Sequence, residues 1–128
     1  MGSIPPELGR LPLLEEVILS RNQLNGPLPK FASRELRILD LEENKMSESL
    51  PDDFGLSHPK MINLNLVGNN FSGTLPESVT NMTNLVWLQL SENSFHGKLA
   101  YYSGMLFICN FFKFMTTFFS FKELCHEI

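Results

Sequence analysis

Apolar residues recur along this chain in short alternating runs, and each run is followed by the same polar punctuation. In the stretch 64–76, LNLVGNNFSGTLP, Leu64 and Leu66 flank Asn65; Asn69 and Phe71 follow, and Gly73, Leu75 and Pro76 close the stretch. Val17, Leu19, Asn22, Leu24, Gly26, Leu28 and Pro29 show the same spacing. So do Leu39, Leu41, Asn44, Met46, Leu50 and Pro51, with Glu48 where the glycine should stand. Leu88, Leu90, Asn93, Phe95, Gly97 and Leu99 repeat it once more. The asparagines Asn22, Asn44, Asn69 and Asn93 are separated by 22, 25 and 24 residues, and Pro5, Pro29, Pro51 and Pro76 by 24, 22 and 25. Several columns agree across four units, and a fixed period of this length is the mark of a stacked repeat.

The pattern predicts what each column does. In LNL the side chains alternate, so the leucines face inward against the far side of their own coil and Asn65 faces out. Stacked coils then set these short strands about 4.8 Å apart in a parallel sheet. A carboxamide has two donors and an acceptor, so the Asn column is expected to form an internal ladder that satisfies backbone groups where the chain leaves the strand. Leu24, Met46, Phe71 and Phe95 refill the core. The glycine of SGTLP permits a bend that a Cβ obstructs, so Glu48 predicts a second coil that bends differently. No coil buries its apolar face alone, and neighbours must cover it. Gly2, Ile4, Pro5, Leu8 and Gly9 match the second half of a unit, so the chain reads as a piece of a longer array.

The template L-x-x-L-x-L-x-x-N-x-L-x-G-x-L/I-P-x-x-L falls in the 20–29-residue range of leucine-rich repeats. The fold class expected is an α/β-type repeat solenoid: a right-handed coil with a short parallel β-sheet on the concave face, few helices, and an irregular or helical C-terminal tail. Two regions follow, a partial leading repeat plus four units over 1–100 and an aromatic-rich, non-repeating 101–128. NQLNGPLPKF and NNFSGTLPESV are more specific than the general template. They resemble the plant class found in receptor-like kinases, receptor-like proteins and cell-wall enzyme inhibitors, over residues 2 to 100. The resemblance implies a curved extracellular solenoid that binds peptides, small hormones, wall fragments or co-receptors. The function implied is recognition of a protein or peptide by the ligand-sensing part of such a receptor, with defence and signalling as its setting. A secreted inhibitor of wall-degrading enzymes is the alternative, and a truncated gene product without an independent role is another. A kinase domain needs a glycine-rich loop, a strand lysine and HRD- and DFG-type motifs, which are absent from this sequence, so no enzymatic activity and no cofactor are expected. The location implied for the parent protein is the outer side of the plasma membrane or the cell wall, although Met1, Gly2, Ile4, Pro5 and Pro6 give no secretion signal.

The residues on the solvent side of the strands are those free to match a ligand. The expected ligand-binding face comprises Glu16, Ile18, Arg21, Ile38, Asp40, Glu42, Asn63, Asn65, Trp87 and Gln89, with Ser20, Glu43, Val67, Gly68, Ser91 and Glu92 beside them. Trp87 is the single tryptophan, and aromatic anchors of this kind are enriched at binding hot spots. Glu16, Asp40, Glu42 and Glu43 outweigh Arg21 at one end, which favours a basic or cationic partner; an open solvated face also carries charge without any ligand. Asp40 and Glu42 are about 6.5 to 7 Å apart on a strand, near the carboxylate separation of inverting glycosidases. That chemistry needs a desolvated cleft, so an open sheet argues against it.

Composition adds little. A length of 128 residues suits one small domain, and a net charge of −4 with no basic run gives no reason to expect nucleic acid. His58, His96 and His126 have no ligand-spaced partners, so each is expected in a loop or at the surface and no metal site is expected; Cys109 and Cys125 do not form a metal-type pair either. Two sequons, Asn70-Phe71-Ser72 and Asn81-Met82-Thr83, make Asn70 and Asn81 candidates for glycosylation. After Leu99 the pattern stops, and seven of the eleven Phe fall between Phe107 and Phe121. The segment 104–121 is an apolar stretch of about 18 residues at best, the lower limit for a membrane span, with Asn110 and Lys113 near its middle. A lid over the last coil and a misjoined gene product with exposed aromatics are the other readings of the tail.

Overall fold

The computed structural model describes residues 2–96. Gly97, Leu99, the tail 101–128 with its candidate span 104–121, Cys109, Cys125 and His126 lie outside the described residues, as does the expected boundary near residue 100. Two four-stranded parallel sheets run side by side through the coils. The first holds β1 (Glu16–Ile18), β3 (Ile38–Asp40), β5 (Asn63–Asn65) and β7 (Trp87–Gln89) in the order β1-β3-β5-β7. The second holds β2 (Asn25–Gly26), β4 (Lys45–Glu48), β6 (Asn70–Thr74) and β8 (Ser94–His96) in the order β2-β4-β6-β8. Each coil from β1 onward contributes one strand to each sheet; α1 (Pro6–Gly9) precedes β1, α2 (Phe54–Ser57) follows β4 and the 3-10 helix Glu77–Asn81 follows β6, while 27–37 returns without a helix. The repeat pattern predicts the first sheet and the scarcity of helix, but not the second sheet.

The columns of the sequence are the layers of the core. Val17, Leu39, Leu64 and Leu88 are inward partners across the first sheet, and all four are buried. Met46, Phe71 and Phe95 form the next layer, with the Phe71 and Phe95 rings stacked at 6.1 Å. Leu28, Leu50 and Leu75 close the coil, and Phe31, Phe54 and Val79 fill its far side. Leu14, Leu19 and Leu24 pack on the same core while staying half-buried.

The asparagine ladder ties the coils together. Asn44 Nδ2 donates to the carbonyls of Leu41 in its own coil and Leu19 in the coil before, both at 3.0 Å. Its Oδ1 accepts from Leu24 N–H at 3.1 Å. Asn69 repeats this against Leu66, Leu41 and Met46, and Asn93 against Leu90, Leu66 and Phe71. Asn22 bonds only to Leu19 and Ser20, within its own coil, and is exposed.

Glu48 corrects the expectation of a differently bent second coil. Its φ is 71°, beside 79° at Gly26 and 77° at Gly73, so the bend is the same and a glutamate occupies a left-handed conformation. Pairing of β4 with β6 holds it there, against a steric penalty of about 1–2 kcal/mol for a residue with a Cβ. Glu48→Gly is therefore expected to stabilise the fold by about 1 kcal/mol. A urea unfolding midpoint that fails to rise would contradict the strain.

Candidate functional site

The outward side of the first sheet is a grid set by strand register. Glu16, Ile38, Asn63 and Trp87 are successive Cα partners in one row, and Ile18, Asp40, Asn65 and Gln89 in the next. Beyond the strand ends, backbone bonds align Arg21 with Glu42, Glu43 with Val67, and Gly68 with Ser91. Arg21, Glu43, Gly68 and Glu92 all have φ between 55° and 72°, a conformation for which only Gly68 gives a sequence signal. It turns each chain out of its strand immediately ahead of the ladder asparagine.

Exposure divides the grid unevenly. Ile18 and Trp87 are the most open apolar groups of the face, at 57% and 46%, and Glu16, Arg21, Glu43 and Glu92 are exposed. Ile38, Asp40, Glu42, Asn63 and Gln89 are half-buried, as are Ser20, Val67 and Gly68. Asn65 and Ser91 depart from the expectation that they face solvent, since both are buried. Asn65 Oδ1 folds back to accept from Val67 N–H at 3.1 Å, and Asp40 and Gln89 flank it on either side. Asp40 caps its own strand in the same way, accepting from Glu42 N–H at 3.1 Å. The Asn65 oxygen is thus engaged within its own coil.

Charge is distributed by coil. Glu15 is paired with Arg37 at 3.1 Å and Glu35 with Lys60 at 2.7 Å, each pair joining neighbouring coils beside the strands. Glu16, Asp40, Glu42 and Glu43, on the outward face, have no such ion pair among the described residues. Among the described residues no group of three or more His, Cys, Asp or Glu is placed to hold a metal, and no helix is long and apolar enough to cross a membrane. Asn70 and Asn81, the sequon asparagines, are both exposed; Asn81 ends the 3-10 helix, and Asn70 begins β6.

His58 lies in a loop after α2, as expected, but is buried rather than exposed. It is buried against Phe54 and Phe31, with ring centroids 5.0 and 6.4 Å away, and its Nδ1 donates to Ser33 carbonyl at 3.1 Å. Burial holds its pKa below the usual 6.5; the Ser33 bond and Asp53 pull the other way, and Arg34 adds to the lowering. The unfolded chain therefore binds more protons than the folded one between the two values, so this contribution is intact above 6.5 and declines as pH falls below it. The melting temperature is expected to drop as pH falls below about 6.5, and His58→Gln is expected to flatten that drop. An unchanged slope in the variant would mean that other groups set it.

The family model described as Leucine Rich Repeat matches residues 35–56 and 60–82. The chain is similar to Receptor-like protein 13 of Arabidopsis thaliana, 39% identical over 87 residues, which is 67% of this chain and 8% of that protein. Among solved structures it resembles a plant peptide hormone receptor, RGFR1 in complex with RGF2. There the TM-score is 0.73 and the identity 35%, over 77% of this chain and 16% of that one. It also resembles the Arabidopsis receptor kinase HAESA in complex with the peptide hormone IDA and the co-receptor SERK1, with a TM-score of 0.71 and 33% identity over 77% of this chain and 17% of that one. The chain thus spans less than a fifth of each of these proteins.

Proposed function

We propose that this chain, which belongs to the leucine-rich repeat family in its plant receptor form, senses a peptide through the outward face of its first sheet. The observation that carries the reading is the division of labour between the faces of β1, β3, β5 and β7. Inward positions are uniformly aliphatic and buried, whereas outward ones differ in every coil and include an exposed tryptophan. A purely structural sheet has no need of an exposed Trp87 beside Asn63, and residues of this type carry binding energy at interfaces. Receptors of similar fold solved in complex with peptide hormones support a peptide ligand, and the complex containing a co-receptor makes a second protein partner part of the proposal. The parent protein then acts at the cell exterior, and the repeats contribute recognition rather than catalysis.

The test is a display library of random peptides panned against the full chain. Enrichment is expected, and Trp87→Ala combined with Gln89→Ala is expected to abolish it. Glu77→Ala combined with Thr83→Ala, on the return segment of the coil, is expected to leave it intact. Peptides that bind equally well to both double variants would move the site off this face.

A further inference from the structure

Two asparagines of the third coil carry side chains that folding leaves unused. Strand alternation divides the adjacent pair Asn69 and Asn70. Asn69 enters the ladder, bonded to Leu41, Leu66 and Met46. Asn70 is exposed, and its carboxamide has no hydrogen-bond partner among the described residues. Phe71 between Asn70 and Ser72 is fully buried, which sets those two on the same outward side of β6. The second sequon is built alike at the end of the 3-10 helix. Met82 is buried, Asn81 and Thr83 are exposed, and the Asn81 carboxamide is equally unpartnered among the described residues. Around Asn70 the second sheet offers short polar neighbours: Ser47 is its Cα partner, and Ser94 is the partner of Ser72. These are the two Asn-x-Ser/Thr triplets of the chain, and in both the fold points the acceptor amide away from the core.

We propose that Asn70 and Asn81 carry N-linked glycans, which cover the outward side of the second sheet and the return side of the third coil and leave the first sheet bare. A glycan is a bulky, strongly hydrated group that a fold accommodates only at its surface. In the transfer Nδ2 bonds to the anomeric carbon of a lipid-linked pyrophosphate oligosaccharide. The bond from that carbon to the pyrophosphate oxygen breaks, the pyrophosphate lipid leaves, and the amide gives up one proton. Because the ladder asparagine is Asn69 and not Asn70, the sugar costs no bond between coils. This inference rests on the reading that the parent protein acts at the cell exterior, since the donor lipid is met in the secretory pathway.

The test sends the full chain, behind an added secretion signal, through a eukaryotic secretory pathway. The product is weighed before and after enzymatic removal of N-glycans. A mass loss of two glycans is expected; Asn70→Gln and Asn81→Gln are each expected to remove one, and together both. Translation with microsomes reads the same masses should little chain reach the medium. A single unglycosylated mass, or glycans that survive both substitutions, overturns the inference. Val67→Thr supplies the contrast, because it turns residues 65–67 into a third sequon around the buried Asn65. A glycan there is expected to block secretion of folded chain, and equal secretion would overturn the argument from exposure. Placement is read by acetylation. Lys45, exposed on β4 two residues before Ser47, is expected to react more slowly with the glycans present. Lys60, paired with Glu35 beside the first sheet, is expected to react at the same rate. Equal rates at Lys45 with and without glycans would remove the sugar from the second sheet. Since the signal is supplied, these masses depend neither on where the parent protein resides nor on peptide binding. Peptides that fail to enrich on the doubly glycosylated chain would overturn the peptide reading alone.

Discussion

Gly55→Ala is expected to lower the unfolding free energy by about 3 kcal/mol, at the upper end of what an added core methyl inflicts. A Cβ on Gly55 points straight at the backbone carbonyl of Ser78, so no side-chain rotation relieves the clash. The contact lies where α2 packs on the 3-10 helix of the next coil, and Gly55 N–H donates to Ser78 Oγ there at 2.9 Å. Relief requires the two coils to separate, which loosens the Phe54 and Val79 layer as well. A similar close approach brings Gly9 against the Lys30 carbonyl of the coil after it, whereas Ala32, which follows Phe31, is exposed. The measurement is a urea titration of Gly55→Ala beside Ala32→Ser. The first is expected to shift strongly and the second to stay within about 0.5 kcal/mol. Equal midpoints for Gly55→Ala and the parent chain would mean that α2 and the 3-10 helix do not touch in solution.

Asn44→Ala is expected to be as damaging, while Asn22→Ala is expected to be nearly silent. Removing the buried Asn44 carboxamide strands the Leu24 N–H and the Leu19 and Leu41 carbonyls, which it bonds at 3.0 to 3.1 Å. Leaving buried groups unpaired costs about 1–3 kcal/mol each, and partial rescue by water brings the expected loss to about 3 kcal/mol in total. Asn22 holds only carbonyls of its own coil and is open to solvent, which replaces its bonds. Its removal is expected to cost less than about 1 kcal/mol. The comparison separates a ladder that joins coils from a residue that merely favours a turn. Equal losses at both positions would show that the bonds between coils carry no particular weight.

Much of this architecture can be read from the chain because its rules are local and repeated. Alternating aliphatics at Val17, Leu39, Leu64 and Leu88 leave one face to bury. An asparagine three residues past the last inward leucine has its partners a fixed turn away. The tryptophan on the outward row was equally readable, since strand alternation alone assigns its side. Asn65 was misjudged by that same rule. Alternation gives direction, but its bond to Val67 and its two flanking neighbours set its burial. The burial of His58 in its loop is not legible in the sequence, because the carbonyl and rings that enclose it come from Ser33 and Phe31, a full coil earlier, as well as from Phe54 nearby.

Period, coil number, core columns and the side of each strand that meets solvent were fixed by residue order, since each depends on spacing within one unit. Stacking settled the second sheet, the left-handed backbone at Arg21, Glu43, Glu48 and Glu92, and the unsatisfied oxygen of Asn63. At Arg21 and Glu43 the decisive bonds run to Glu42 and Val67 in the following coil. A local pattern does not register a partner more than twenty residues away, and here that partner outweighs the conformational preference of the residue itself.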